Sequence, residues 1–104
     1  MSTLMELAMF PTDKGESVSP YVARIIAMID AAGLDYRLTP MGTIIETAEL
    51  EEGLRVIAEA YRQLEPDCAR VYATVKLDIR KGRTGGLGQK IASVEKKLGK
   101  KART

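Results

Sequence analysis

Residues 70–80, Arg70-Val71-Tyr72-Ala73-Thr74-Val75-Lys76-Leu77-Asp78-Ile79-Arg80, alternate in character without a break. Successive side chains of an extended chain point to opposite faces. Val71, Ala73, Val75, Leu77 and Ile79 therefore share one side, with Arg70, Tyr72, Thr74, Lys76, Asp78 and Arg80 on the other. Such a segment reads as a strand with one buried face and one that is at least half wet, as in an antiparallel sheet covered on one side. The other elements arrange themselves around it.

Upstream, Glu49 to Leu64 repeats at helical spacing, with Leu50, Leu54, Ile57, Ala58, Tyr61 and Leu64 on one predicted face. Glu49, Glu51 and Glu52 crowd its first turn, where the helix dipole favours negative charge, and Glu65-Pro66-Asp67 ends it. Before it, Leu34–Thr39 alternates and Thr43–Thr47 is a β-branched run, joined through Pro40-Met41-Gly42, a hairpin signature. Earlier still, Ser19 reads as a helix N-cap with Pro20 in the first helical position, where a missing N–H costs nothing. Val22, Ile25, Ile26 and Ile29 form the stripe of that helix and Gly33 stops it. Thr3–Pro11 reads as a first strand, followed by a polar loop to Ser19. Downstream of the long strand, Lys81–Gly88 reads as a glycine-rich loop, and Leu87, Ile91, Val94 and Leu98 mark a short helix. The order is β-α-β-β-α-β plus a C-terminal helix, which predicts an α+β sandwich of the ferredoxin-like kind, with a four-stranded antiparallel sheet. Residues 1–99 make one domain and 100–104 a basic tail read as a frayed helix end.

Composition narrows the function. The chain has 104 residues, 45% apolar and 29% charged, the balance of an ordinary globule. Sixteen basic and fourteen acidic residues leave +2, and the tail supplies that excess. No basic patch is expected on the folded body, and one Phe with four Tyr is too few aromatics for an RNA-stacking sheet. Nucleic acid is therefore not an expected partner. No apolar run reaches the ~20 residues of a membrane helix, and the N-terminus does not read as a signal peptide. With a single cysteine, Cys68, the expectation is a cytoplasmic protein without disulfides.

No catalytic constellation is expected. Histidine is absent, which removes His-based acid–base, triad and metal chemistry, and one cysteine cannot build a thiolate cluster. Gly82-Arg83-Thr84-Gly85-Gly86-Leu87-Gly88 fails the phosphate-loop pattern, because Gln89 follows where Lys-Ser/Thr is required. No cofactor or metal is implied. Glu46 stands apart from the solvated acids: it follows Ile44-Ile45 in a strand, and a half-buried carboxylate needs a partner, either a protein cation or a cationic ligand.

The sheet face opposite the two long helices should carry Glu6, Ala8, Phe10, Arg37, Thr39, Tyr72, Thr74 and Lys76. A half-apolar face of this kind leaves surface to bury. Self-association through it is expected, with Glu6, Arg37, Tyr72, Thr74 and Lys76 at the contact.

Ser17-Val18-Ser19-Pro20-Tyr21-Val22-Ala23 and Thr39-Pro40-Met41-Gly42-Thr43-Ile44-Ile45-Glu46 together resemble two motifs of the small YkoF-like thiamine-binding family. Thr74–Lys81 and Lys90–Glu95 are similar to it as well, so the resemblance spans nearly the whole chain. It implies a ferredoxin-like fold, dimers pairing through sheets, often tetramers, and binding of thiamine or its hydroxymethylpyrimidine moiety without turnover. A site for that cation needs a carboxylate, hydroxyls for the pyrimidine edge and an apolar wall. Glu46 is the candidate carboxylate, Thr43 and Ser19 the candidate hydroxyls, Tyr21 and Met41 the wall, with Gly42 in the turn between. The competing explanations are a helix cap for Ser19 and turn chemistry for Gly42 and Thr43. A rival reading is a regulatory or structural oligomer holding another small ligand, such as an anion at the first helix N-terminus near Ser17 and Ser19.

Overall fold

Seven elements follow one another in the computed structural model, which describes residues Ser2–Thr104: β1 (Ser2–Pro11), α1 (Ser19–Ala31), β2 (Asp35–Thr39), β3 (Gly42–Thr47), α2 (Leu50–Leu64), β4 (Val71–Arg80) and α3 (Gly86–Leu98). The strands form one sheet in the order β2-β3-β1-β4, with every neighbouring pair antiparallel. This is the expected ferredoxin-like arrangement. β1 is the central strand: it runs from Ser2↔Arg80 to Pro11↔Val71 against β4, and from Thr3↔Thr47 to Leu7↔Thr43 against β3.

The alternation of β1 sends Met5, Leu7 and Met9 to the face covered by α1 and α2. There they meet Ile25 and Ile29 of α1, Ile45 of β3, and Val56, Ala60 and Leu64 of α2. Gly33 takes the left-handed conformation (φ +71°) just past α1, as its stop position requires.

Four local readings are corrected. Ser19 is not the cap of α1: Val18 precedes the helix, its carbonyl accepts the first amides, and no side chain caps that end. α2 buries Gly53, Val56, Ala60 and Leu64, whereas Leu54, Ala58 and Tyr61 of the predicted stripe are exposed. The cause is steric. Small residues face the sheet and let the helix come close; a Cβ on Gly53 would stand 3.4 Å from Thr47 Oγ1.

β4 is the third correction, since neither of its faces is buried beyond Val71. Val75, Leu77 and Ile79 lie on the helix-bearing side, opposite the buried Leu7, Met5 and Thr3, yet remain 36, 40 and 46% exposed. β4 is an edge strand, and α2 leans mainly on β1 and β3.

The fourth concerns α3, which begins at Gly86, within the segment read as loop, and lies against β1, β3 and β2. The sheet face expected to be open is thus partly covered. Residues beyond α3 fold back far enough for the Ala102 amide to donate to Glu95 Oε2 at 2.8 Å.

Candidate functional site

The hairpin and α1 enclose a cavity. Thr39 closes the hairpin turn: its hydroxyl donates to the Gly42 carbonyl at 2.7 Å and accepts from the Met41 amide at 3.3 Å. Gly42 allows β3 to start hard against β1, where a Cβ would meet the Leu7 carbonyl oxygen at 3.2 Å. Between this hairpin and the first half of α1 lies a cavity of about 280 Å³, walled mainly by Leu7, Met9, Val22, Ile26, Leu38 and Met41, with Thr39 and Thr43 among its few polar residues. It continues into an open groove along α1, past Ser19 and Ala23, to Asp30 and Tyr36. The Tyr36 hydroxyl donates to Asp30 Oδ1 at 3.0 Å, and that bond, aided by burial and the carboxylate charge, raises the phenol's pKa.

Of the six residues singled out for a ligand, this region gathers four. Thr43, Gly42 and Met41 line the cavity, and Ser19 lines the groove beside it. Tyr21 lines neither; it packs against the core with the Arg24 guanidinium 4.8 Å above its ring. Arg24 in turn holds Asp67 with two bonds of 2.8 and 2.9 Å.

Glu46 lies elsewhere. Three residues from Thr43 along a strand, it must point to the opposite face. There its carboxylate accepts from the Ser2 hydroxyl at 2.5 Å, from the Gly86 amide at 2.7 Å and from the Leu87 amide at 3.3 Å. It is the cap of α3, seated where the helix dipole favours an anion. Burial pushes its pKa up, but the Ser2, Gly86 and Leu87 bonds and the nearby Arg83 charge outweigh that and hold it below the usual carboxylate range. Arg83 is itself buried (8% exposed) and donates to Asp78 Oδ2 at 2.8 Å, the Asp78 carbonyl at 2.8 Å and the Ser2 carbonyl at 3.1 Å. The partner that Glu46 needed is supplied from within the chain.

Two further features limit the chemistry. The α1 N-terminus is poor in free donors: Pro20 has no N–H, and the Tyr21 and Val22 amides both donate to the Val18 carbonyl at 3.0 Å. Cys68 is buried, and desolvation together with the Asp67 and Asp13 charges raises its thiol pKa, which disfavours the thiolate. Among the described residues no group of His, Cys, Asp and Glu has metal-binding geometry, and no helix is long and apolar enough to cross a membrane.

Of the residues expected on the opposite face, Lys76 stands 3.6 Å from Glu6 of the same chain. The pair forms within one subunit.

A family model described as thiamine-binding protein matches residues 5–95, a span that holds the whole cavity and both Glu46 and Arg83. The chain belongs to the thiamine-binding protein family. It is 33% identical over 98 residues to the UPF0045 protein of Mycobacterium bovis, covering 94% of this chain and 96% of the relative. The crystal structure of a Methanocaldococcus jannaschii protein superposes with a TM-score of 0.80 at 30% identity, covering 89% of this chain and 95% of that one. A Thermotoga maritima protein provisionally assigned to thiamine biosynthesis or salvage has the same fold (TM-score 0.78, 21% identity, covering 90% and 99%). The family resemblance read from the hairpin and helix motifs is thereby shown.

The sequence did not single out Val18, Ile26 and Leu38 as cavity walls, nor the Asp30–Tyr36 pair. Their signal was there: Ile26 was already in the apolar stripe of α1 and Leu38 in the alternating run 34–39, and a helix stripe facing a hairpin encloses apolar space. Arg83 carried no such signal, since its role depends on where α3 lands.

Proposed function

We propose that this chain binds thiamine or its hydroxymethylpyrimidine moiety, without turnover, in the cavity between α1 and the β2–β3 hairpin. It does so as a homo-oligomer, in the cytoplasm. The observation that carries this reading is the cavity itself: within the span matched by the thiamine-binding family, it joins apolar walls to a groove ending in a carboxylate. A flat aminopyrimidine fits between apolar walls, with Thr39 and Thr43 as hydrogen-bonding neighbours. Asp30, rather than Glu46, is then the counter-charge for the thiazolium, because Glu46 already caps α3 on the other face of the sheet. Binding without turnover is supported by the lining of the cavity itself, whose polar side chains are Thr39 and Thr43 with no acid or base beside them.

Isothermal titration with thiamine and with hydroxymethylpyrimidine tests it. Binding of either compound is expected, weakened at least several-fold by Thr43→Val. Asp30→Asn should weaken thiamine and spare hydroxymethylpyrimidine, which lacks the cation. Absence of heat with both compounds at millimolar concentration refutes the reading.

A further inference from the structure

The cavity and its groove differ in charge from the rest of the molecule. The chain carries sixteen basic and fourteen acidic residues. Among the described residues lining these two spaces, Asp30 alone carries a charge. It stands at the far end of the groove, one residue before α1 ends, and the Tyr36 hydroxyl reaches it from β2.

The cations closest to it in sequence are engaged elsewhere. Arg24 is tied to both carboxylate oxygens of Asp67 and to the Gln63 carbonyl. Arg37 follows Tyr36 in β2, so its side chain leaves the opposite face of the strand. Its guanidinium donates to the Tyr36 carbonyl at 3.0 Å. Among the described residues, Asp30 therefore has a neutral donor and no ion-pair partner.

A carboxylate without a counter-ion attracts a cation and repels an anion. Thiamine carries its permanent charge on the thiazolium, and the same ring bears a hydroxyethyl arm. Esterifying that arm adds a phosphate with about −1.5 to −2 charges at pH 7. With the thiazolium beside Asp30, so short an arm keeps the phosphate at a distance comparable with the ~8 Å Debye length of physiological salt. The lining offers it no Lys or Arg. We infer that the Asp30–Tyr36 pair is a charge filter: the site takes the free cation and turns away its phosphate esters. This rests on the thiamine reading of the site. Discrimination of this kind comes from a built-in repulsion rather than from an added contact. Tyr36 is a positioning residue, since its ring packs against the core and its bond to Oδ1 restricts the carboxylate.

Isothermal titration of the full chain with hydroxymethylpyrimidine, thiamine and thiamine monophosphate tests the filter. Each affinity is read against that of hydroxymethylpyrimidine, which carries neither charge and reports that a variant is folded. The wild-type protein should bind the monophosphate at least about tenfold more weakly than thiamine. That gap should narrow as salt rises from about 0.02 to 0.5 M, because the groove is open to solvent. Asp30→Asn should bring the two affinities within about threefold, and Asp30→Lys should reverse their order. Tyr36→Phe, which keeps the ring, should shrink the gap without reversing it. Equal wild-type affinity for thiamine and its monophosphate overturns the inference and leaves the thiamine reading standing. So does a gap that survives both Asp30 variants. Absence of binding by thiamine and hydroxymethylpyrimidine alike overturns the thiamine reading, and the filter with it.

Discussion

The Ser2 hydroxyl donates to Glu46 at 2.5 Å, joining the first described residue of the central strand to a carboxylate forty-four positions later. The same carboxylate takes the first amides of α3, so one side chain binds the start of the sheet to the last helix. Hydrogen bonds to a charged group contribute more than neutral ones. Glu46→Gln should therefore lower stability by about 1–2 kcal/mol in urea unfolding. Amide exchange at Gly86 and Leu87 should accelerate more than exchange in α1. Equal acceleration throughout the chain would mean that Glu46 does not hold α3 in particular.

Acid should unfold the protein through the same group and two others. Glu46, Asp13 and Asp67 are all held below their ordinary range: Asp13 chiefly by the Ala69 amide, Asp67 chiefly by Arg24. A depressed carboxyl contributes stability that is complete above its unfolded pKa, about 4, and lost as pH falls through the folded value. With no histidine in the chain, stability should stay nearly flat between about pH 5 and 7. It should then fall steeply below about pH 4, and Glu46→Gln should shallow that fall. A stability change centred near pH 6 would contradict this assignment.

Two glycines of one helix should respond oppositely to alanine. A Cβ on Gly86 would come within 3.0 Å of Arg83 Nε, 3.1 Å of Glu46 Oε2 and 3.2 Å of Leu4 Cδ1, and three groups would have to move. Gly86→Ala should cost about 1–3 kcal/mol. Gly88 has nothing within 4 Å of that position, so Gly88→Ala should raise stability by up to about 1 kcal/mol. Thermal melts of the two variants decide the sign.

Ala58 and Ala60 test the orientation of α2. Ala60 is fully buried against the sheet, whereas Ala58 is exposed. Valine at position 60 should cost about 1–3 kcal/mol by overpacking, and at 58 no more than about 0.7 kcal/mol of helix propensity. The reverse order would restore the face that apolar spacing alone suggests.

That spacing shows where the sequence was legible. Strand order, hairpin and helices follow from Val71–Ile79, Pro40-Met41-Gly42 and Gly33, whose local chemistry admits few alternatives. The buried face of α2 was hidden because Gly53 and Ala60, small enough to let the helix close on the sheet, are weak in any hydrophobic pattern. The exposure of β4 was hidden for another reason: alternation reports which residues share a face, not whether anything covers it. The candidate site was half legible. Thr43 and Glu46, three residues apart in one strand, already lay on opposite faces by parity, and only the fold shows that α3 claims Glu46.

The central position of β1 also sets an order of events. Its pairs with β3 join Thr3 to Thr47, and its pairs with β4 join Ser2 to Arg80. During synthesis β1 emerges before the strands on either side of it, and its second edge stays bare until β4 has followed. Contacts this distant along the chain make folding slow relative to local helix formation. Until β4 has followed, Leu4 to Met9, apolar at every position but Glu6, is the stretch of β1 left without its β4 partner.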